Sequence, residues 1–115
     1  MIGIVIVTHG KIGEELVRVT LSIVKEANPI IAVSLEHSED VDLMRRKVEE
    51  AIQKAEQGEG VLLLSDMFGG TPCNLCLSFL DAPKVEVVSG INLPMLIKLA
   101  SLKEAKKLSE IADFI

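Results

Sequence analysis

Residues 4–10 read IVIVTHG, an unbroken aliphatic run that stops at Thr8, His9 and Gly10. β-Branched residues dominate and no polar residue alternates with them, so residues 2–7 read as a strand buried on both faces. Such a strand belongs in a parallel sheet, where helices cover both sides. Its end carries an imidazole. His9 is either a polar tip closing a strand or a reactive group held at the edge of the sheet.

The residues that follow decide the kind of sheet. Ile12, Leu16, Val19 and Ile23 recur at helical spacing and predict a helix with that stripe turned inward, ended by Asn28-Pro29. Residues 30–35 form a second apolar strand. Ser38 or Asp40 caps the next helix, whose inner stripe is Val41, Met44, Val48, Ala51, Ile52 and Ala55. Gly58 and Gly60 break it before a third strand, residues 61–65, and the loop DMFGGTP. Thr71-Pro72 read as cap and first helical position of a helix running to about Leu80 and stopped by Ala82-Pro83. Residues 85–89 are a shorter strand, GINLP opens a helix capped by Asn92, and Ala105, Leu108 and Ile111 suggest a last amphipathic helix from Leu102 onward.

Strands alternating with helices predict the α/β class: a single doubly wound, mainly parallel sheet with helices on both faces, as one domain over residues 1–115. In the flavodoxin-like strand order 2-1-3-4, the winding direction switches between strands one and three, and ligands sit beyond the carboxyl ends of the strands there. His9 lies just past the first of these strands and Asp66 just past the third. The topology therefore brings them together although half the chain separates them.

Composition narrows the chemistry. The chain has 115 residues, 49% of them hydrophobic but only 3% aromatic, so its core is aliphatic. A formal net charge of −5 argues against nucleic acid and against an anionic membrane surface. The apolar start lacks the flanks of a signal peptide and no run is long enough to span a bilayer, which makes a cytoplasmic protein the default.

A carboxylate beside an imidazole fixes its tautomer and leaves the other nitrogen free as nucleophile, general base or metal ligand. No HxxxH or HxH partner accompanies His9, so no metal is expected. A GxSxG elbow is missing, and Thr8-His9 stands where a receiver-type aspartyl-phosphate site would carry acids. What remains is a nucleophilic histidine beside an anion cradle. GGTPCN, residues 69–74, supplies that cradle: Gly69 and Gly70 let backbone amides approach a ligand, and Thr71 offers a hydroxyl at a helix N-terminus. On pattern alone the blander reading also stands, because a strand-ending His is often a surface residue and Gly-Gly-Thr-Pro a common helix start.

At this point a family resemblance becomes specific. GIVIVTHGKIGEEL at 3–16, GVLLLSDMFGGTPCN at 60–74 and VVSGINLPML at 87–96 resemble, in order and spacing, the IIA domain of the mannose family of the phosphoenolpyruvate-dependent sugar phosphotransferase system (PTS). The resemblance implies that His9 accepts phosphate from the carrier HPr and passes it to a histidine of a IIB domain during sugar uptake. It implies that Asp66 hydrogen-bonds the imidazole, that Nε2 carries the phosphate, and that Thr71, with Gly69, Gly70 and Gly10 around it, binds the phosphoryl group. No cofactor is implied. Met67 and Phe68 would be an exposed apolar contact for partners, or else a packed loop. Membrane IIC and IID components would be met indirectly, which places the protein in the cytoplasm or peripherally on a permease complex. The family's last segment includes a strand exchanged between subunits of a homodimer. Here the chain stops at Ile115 in what reads as a helix, so that strand is not expected, and a dimer through another surface stays open.

Other readings compete. The phosphotransfer subunit of dihydroxyacetone kinase uses a similar histidine, and a regulatory module read out by its phosphorylation state would need the same one. CNLC, residues 73–76, invites a thiol redox reading, but a CxxC after a third strand is not the thioredoxin arrangement, so Cys73 and Cys76 are read as structural. His37 reads as a solvated loop residue.

Overall fold

The computed structural model describes residues 1–81, 84–103 and 106–115. Ala82-Pro83 and Ala105, to which the sequence assigned a helix stop and a core position, lie outside the described residues. The elements run β1 (Gly3–His9), α1 (Ile12–Ile23), β2 (Ile31–Leu35), α2 (Val41–Ala55), β3 (Val61–Ser65), α3 (Thr71–Leu77), β4 (Val85–Ser89), α4 (Leu93–Ala100) and α5 (Leu108–Phe114). The strands are parallel and ordered β2-β1-β3-β4, the doubly wound arrangement the alternation implies.

Successive strand side chains point to opposite faces. Ile2, Ile4, Ile6, Leu62 and Leu64 pack with Leu96, Leu99 and Ile111 on the face covered by α1, α4 and α5. Val5, Val7, Leu63 and Val61 pack with Met44, Val48, Leu75 and Cys76 on the face covered by α2 and α3. Both sides of β1 and β3 are thus apolar, and Val5, Ile6, Val7 and residues 62–64 are fully buried. That burial is why the sequence shows no alternation. The winding switches between β1 and β3, the two central strands, and the chain leaves each of them at the same end of the sheet.

Several local expectations shift. On α1 the inward row is Gly13, Leu16, Val17 and Thr20, while Ile12 and Ile23 are 54% and 53% exposed. The helix lies too close to β1 for large side chains at the point of contact: a Cβ on Gly13 would stand 3.0 Å from Thr8 Cγ2 and 3.2 Å from Ile6 Cγ2. Small residues, Gly13 and Thr20, therefore take the buried positions of that row. Thr20, buried there, donates its hydroxyl to the Leu16 carbonyl at 2.7 Å. Val41, assigned to the core, is also exposed, because α2 first meets the sheet at Met44 one turn later. Asp40 rather than Ser38 caps α2, accepting from the Leu43 N–H at 2.9 Å. Asn92 caps α4 as expected. α3 ends at Leu77, after which the N–H groups of Phe79 and Leu80 tighten to residues three back. The last helix begins at Leu108, not Leu102. Among the described residues the sheet has four strands, and no helix is long and apolar enough to cross a membrane.

Candidate functional site

The site begins where the ladder runs out. β1 pairs with β3 only as far as Val7 opposite Ser65, but continues along β2 through Thr8 opposite Ser34 and His9 opposite Leu35. His9 is thus part of the strand, two residues further than its apolar run suggested. Beyond Val7 the β3 side of β1 has no backbone partner, and the Asp66 carboxylate takes that place. Its Oδ2 accepts the His9 backbone N–H at 3.0 Å and the ring Nδ1–H at 2.8 Å. Its Oδ1 accepts the Met67 N–H at 3.1 Å. On the opposite side the Gly10 N–H donates to the Leu35 carbonyl at 2.9 Å. Backbone and ring of His9 are therefore tied to one carboxylate oxygen, across 57 positions of sequence.

The electrostatics follow from this geometry. The Asp66 side chain is 13% exposed and that of His9 45%. Burial pushes the Asp66 carboxyl upward, but the hydrogen bonds from the His9 ring and backbone, with the charge of the ring, outweigh it and hold the group below the usual carboxylate range. An ionised carboxylate can only accept, so whenever the ring is neutral its proton sits on Nδ1 and Nε2 presents a bare lone pair. A neutral imidazole with an oriented, free Nε2 is a nucleophile or base.

That nitrogen lies against α3. A Cβ placed on Gly70 would come 2.7 Å from His9 Cε1 and 3.1 Å from Nε2. Gly70 is the N-cap of α3, its carbonyl accepting the Asn74 N–H at 2.9 Å. Thr71, expected as the cap, is instead the first helical residue, and it is exposed. Pro72 has no N–H and the helical ladder starts at Asn74, so the amides of Thr71 and Cys73 are not spent within the helix. Gly69 is exposed in the preceding loop. Met67 and Phe68 are 54% and 76% exposed, so their loop is not packed against the body of the protein.

Two residues beside His9 behave differently from their sequence reading. The Gly10 amide is committed to Leu35, so Gly10 serves by its backbone turn (φ +52°) and not as an anion donor. Ile12, assigned to the core, stands exposed three residues from His9. Cys73 and Cys76 are free and buried. Burial first, then the nearby Cys73 and Asp66, push the Cys76 thiol up to about 12, so it is not a thiolate at neutral pH. His37 is exposed in the loop after β2. Sequence reasoning missed the steric part played by Gly70 and the buried Thr8 hydroxyl. A hydroxyl closing an aliphatic strand was the available signal for the second.

A histidine thus stands at the switch point of a doubly wound sheet, its Nδ1 bonded to an acid and its ring edge against the start of α3. Comparison with known proteins gives the family. Residues 3–115 match the family described as PTS system fructose IIA component. The chain is 32% identical over 114 residues to the PTS system fructose-specific EIIA component of Bacillus subtilis, covering 98% of this chain and 78% of that protein. It is 31% identical over 98 residues to the PTS system mannose-specific EIIAB component of Escherichia coli K12, covering 84% of this chain but only 30% of that longer protein. Among solved structures, the mannose/sorbose specific IIA subunit from Enterococcus faecalis superposes with a TM-score of 0.87 at 29% identity, covering 99% of this chain and 86% of that one. The chain belongs to the mannose-type IIA components of the sugar phosphotransferase system, a class of phosphotransferases acting in sugar uptake.

Proposed function

We propose that His9 is a phosphoryl carrier, accepting phosphate on Nε2 from the phosphohistidine of HPr and passing it to a histidine of a IIB component. The observation that carries this is the Nδ1–H bond to Asp66 Oδ2 at 2.8 Å combined with the ring edge seated on Gly70. In each transfer one P–N bond breaks as another forms in line. No proton need be delivered to the phosphoryl group, so positioning and charge stabilisation supply most of the catalysis. Asp66 holds Nδ1–H in place before, during and after transfer and offsets the positive charge that builds on the ring. In this reading Thr71, with the backbone of Gly69 and Gly70, binds the phosphoryl oxygens; its support is that Gly70 borders the ring and Thr71 opens α3. Gly10 contributes the turn that lets β1 end at His9. Met67 and Phe68 form the apolar contact for HPr and IIB, which must dock here in turn. IIC and IID are reached only through IIB, and the transfer calls for no cofactor.

The test is to incubate the protein with phosphoenolpyruvate, enzyme I and HPr, then localise the product by mass spectrometry under non-acidic conditions. One acid-labile, base-stable phosphate on His9 is expected. Its appearance on another residue, or its absence with the cognate HPr, would sink the proposal.

Gly70→Ala probes the seat of the ring. The added methyl group leaves too little room for the imidazole, which must swing away from α3. Phosphorylation should slow by roughly 10- to 100-fold, while the melting temperature changes little because the position is half-buried at a helix cap. A wild-type rate in this variant would mean that the ring does not react in the orientation it has here.

A further inference from the structure

Thr8 is fully buried, yet it is the residue directly before an imidazole that is nearly half exposed. Its hydroxyl is used twice. Oγ1 accepts the Gly13 N–H at 2.9 Å and donates to the Gly10 carbonyl at 3.2 Å. The Gly13 amide is one of the unsatisfied donors of the first turn of α1, which a side chain at the N-cap ordinarily satisfies. Here the N-cap is Lys11, whose side chain makes no capping bond. The cap for α1 is supplied instead from inside the strand, by the residue next to His9.

We infer that Thr8 is a positioning residue for His9. Its hydroxyl clamps both ends of the turn after the strand, so that the backbone carrying the imidazole and the start of α1 move as one unit. Resting on the carrier reading of His9, this adds a further residue to that site. The ring itself is held by one hydrogen bond to Asp66 and by contact with Gly70. Its direction therefore depends on the backbone at His9 and Gly10. Gly10 has a positive φ of 52° and could relax if its carbonyl were released. A β-branched residue suits the role, because χ1 of threonine is restricted and the hydroxyl stays aimed. Gly13 completes the clamp: a Cβ there would crowd Thr8 Cγ2 and Oγ1, both at 3.0 Å.

Thr8→Val removes the hydroxyl at nearly constant shape, Thr8→Ser keeps it, and Gly13→Ala pushes on it from the helix. Two readouts are taken: single-turnover transfer from phospho-HPr, and the ¹⁵N and ¹H resonances of the His9 ring in the unphosphorylated protein. Thr8→Val should slow transfer by roughly 10- to 100-fold. Its ring should lose the single Nδ1–H tautomer, with that proton exchanging with water at least about tenfold faster as the clamp opens. Thr8→Ser should stay within about threefold of wild type, since the hydroxyl is retained, and Gly13→Ala should follow Thr8→Val. Wild-type ring resonances in Thr8→Val, or equal impairment in Thr8→Ser, would overturn the inference. If Thr8→Val does not fold, wild-type ring resonances in Gly13→Ala overturn it. A wild-type chain that takes up no phosphate, alongside an altered ring in Thr8→Val, would refute the carrier reading and leave the positioning role standing.

Discussion

His9→Ala is expected to take up no base-stable phosphate under conditions that fully label the wild type. No other described residue combines a titratable ring, a fixed tautomer and an open nitrogen at the sheet's carboxyl end; His37 is exposed in the loop after β2. The fold should survive. His9 belongs to the strand by backbone pairing with Leu35, which alanine keeps, and its N–H still donates to Asp66. The loss is one side-chain hydrogen bond to a carboxylate, about 1.5–3 kcal/mol. A cooperative melting curve at a somewhat lower temperature, with zero phosphate incorporation, is the expected pair of results. Residual base-stable phosphate at more than a few per cent of wild type would place the carrier elsewhere, with His37 the next position to replace.

Asp66→Asn has the next largest expected effect. The substitution keeps the shape but supplies one acceptor oxygen and an NH₂ in place of two acceptors. Whenever the NH₂ faces the ring, Nδ1 becomes the acceptor and the proton moves to Nε2, where it blocks nucleophilic attack. Where an amide replaces the carboxylate that sets a catalytic imidazole's tautomer, rates fall by up to about 10⁴-fold. A loss on the order of 10²- to 10⁴-fold is therefore expected in single-turnover transfer, with His9 still labelled at long times. A loss of less than threefold would show that the acid does not orient the ring.

The same substitution has a pH signature. The folded-state value of Asp66 lies below its ordinary value of 3.8. The stability it contributes is therefore fully present above about pH 4, and is lost as pH falls through the depressed folded value. Asp66→Asn should destabilise the protein most at neutral pH, with the difference shrinking in acid. Denaturant unfolding at pH 7 and near pH 2.5 checks this. A difference that does not change with pH would contradict the carboxylate's native-state stabilisation.

Much of this was legible in residue order. Residues 4–7 and 62–64 carry no polar alternation because both faces of the two central strands are covered. The helical breaks between them fix the winding, and the winding places His9 and Asp66 at one end. Amphipathic periodicity was less informative on α1. It picked Leu16 rightly but Ile12 and Ile23 wrongly, and missed Gly13 and Thr20, which are buried against the sheet because close approach favours small side chains. Thr71 was misplaced by one position for a related reason. Its capping propensity is local, but the cap went to Gly70, where the imidazole excludes a side chain.

What the sequence determined by itself was the class of sheet and the end at which chemistry would occur, because buried runs and strand–helix alternation are local patterns. The expected order 2-1-3-4, one of two common doubly wound orders, is shown by the strand pairing. Tertiary structure alone decided that β1 outruns β3 by two residues and hands its spare N–H to a carboxylate. It also decided that Gly70 seats the ring and that Thr8 caps a helix from within a strand. Each of these depends on the register and close approach of segments distant in the chain, and no local propensity encodes them.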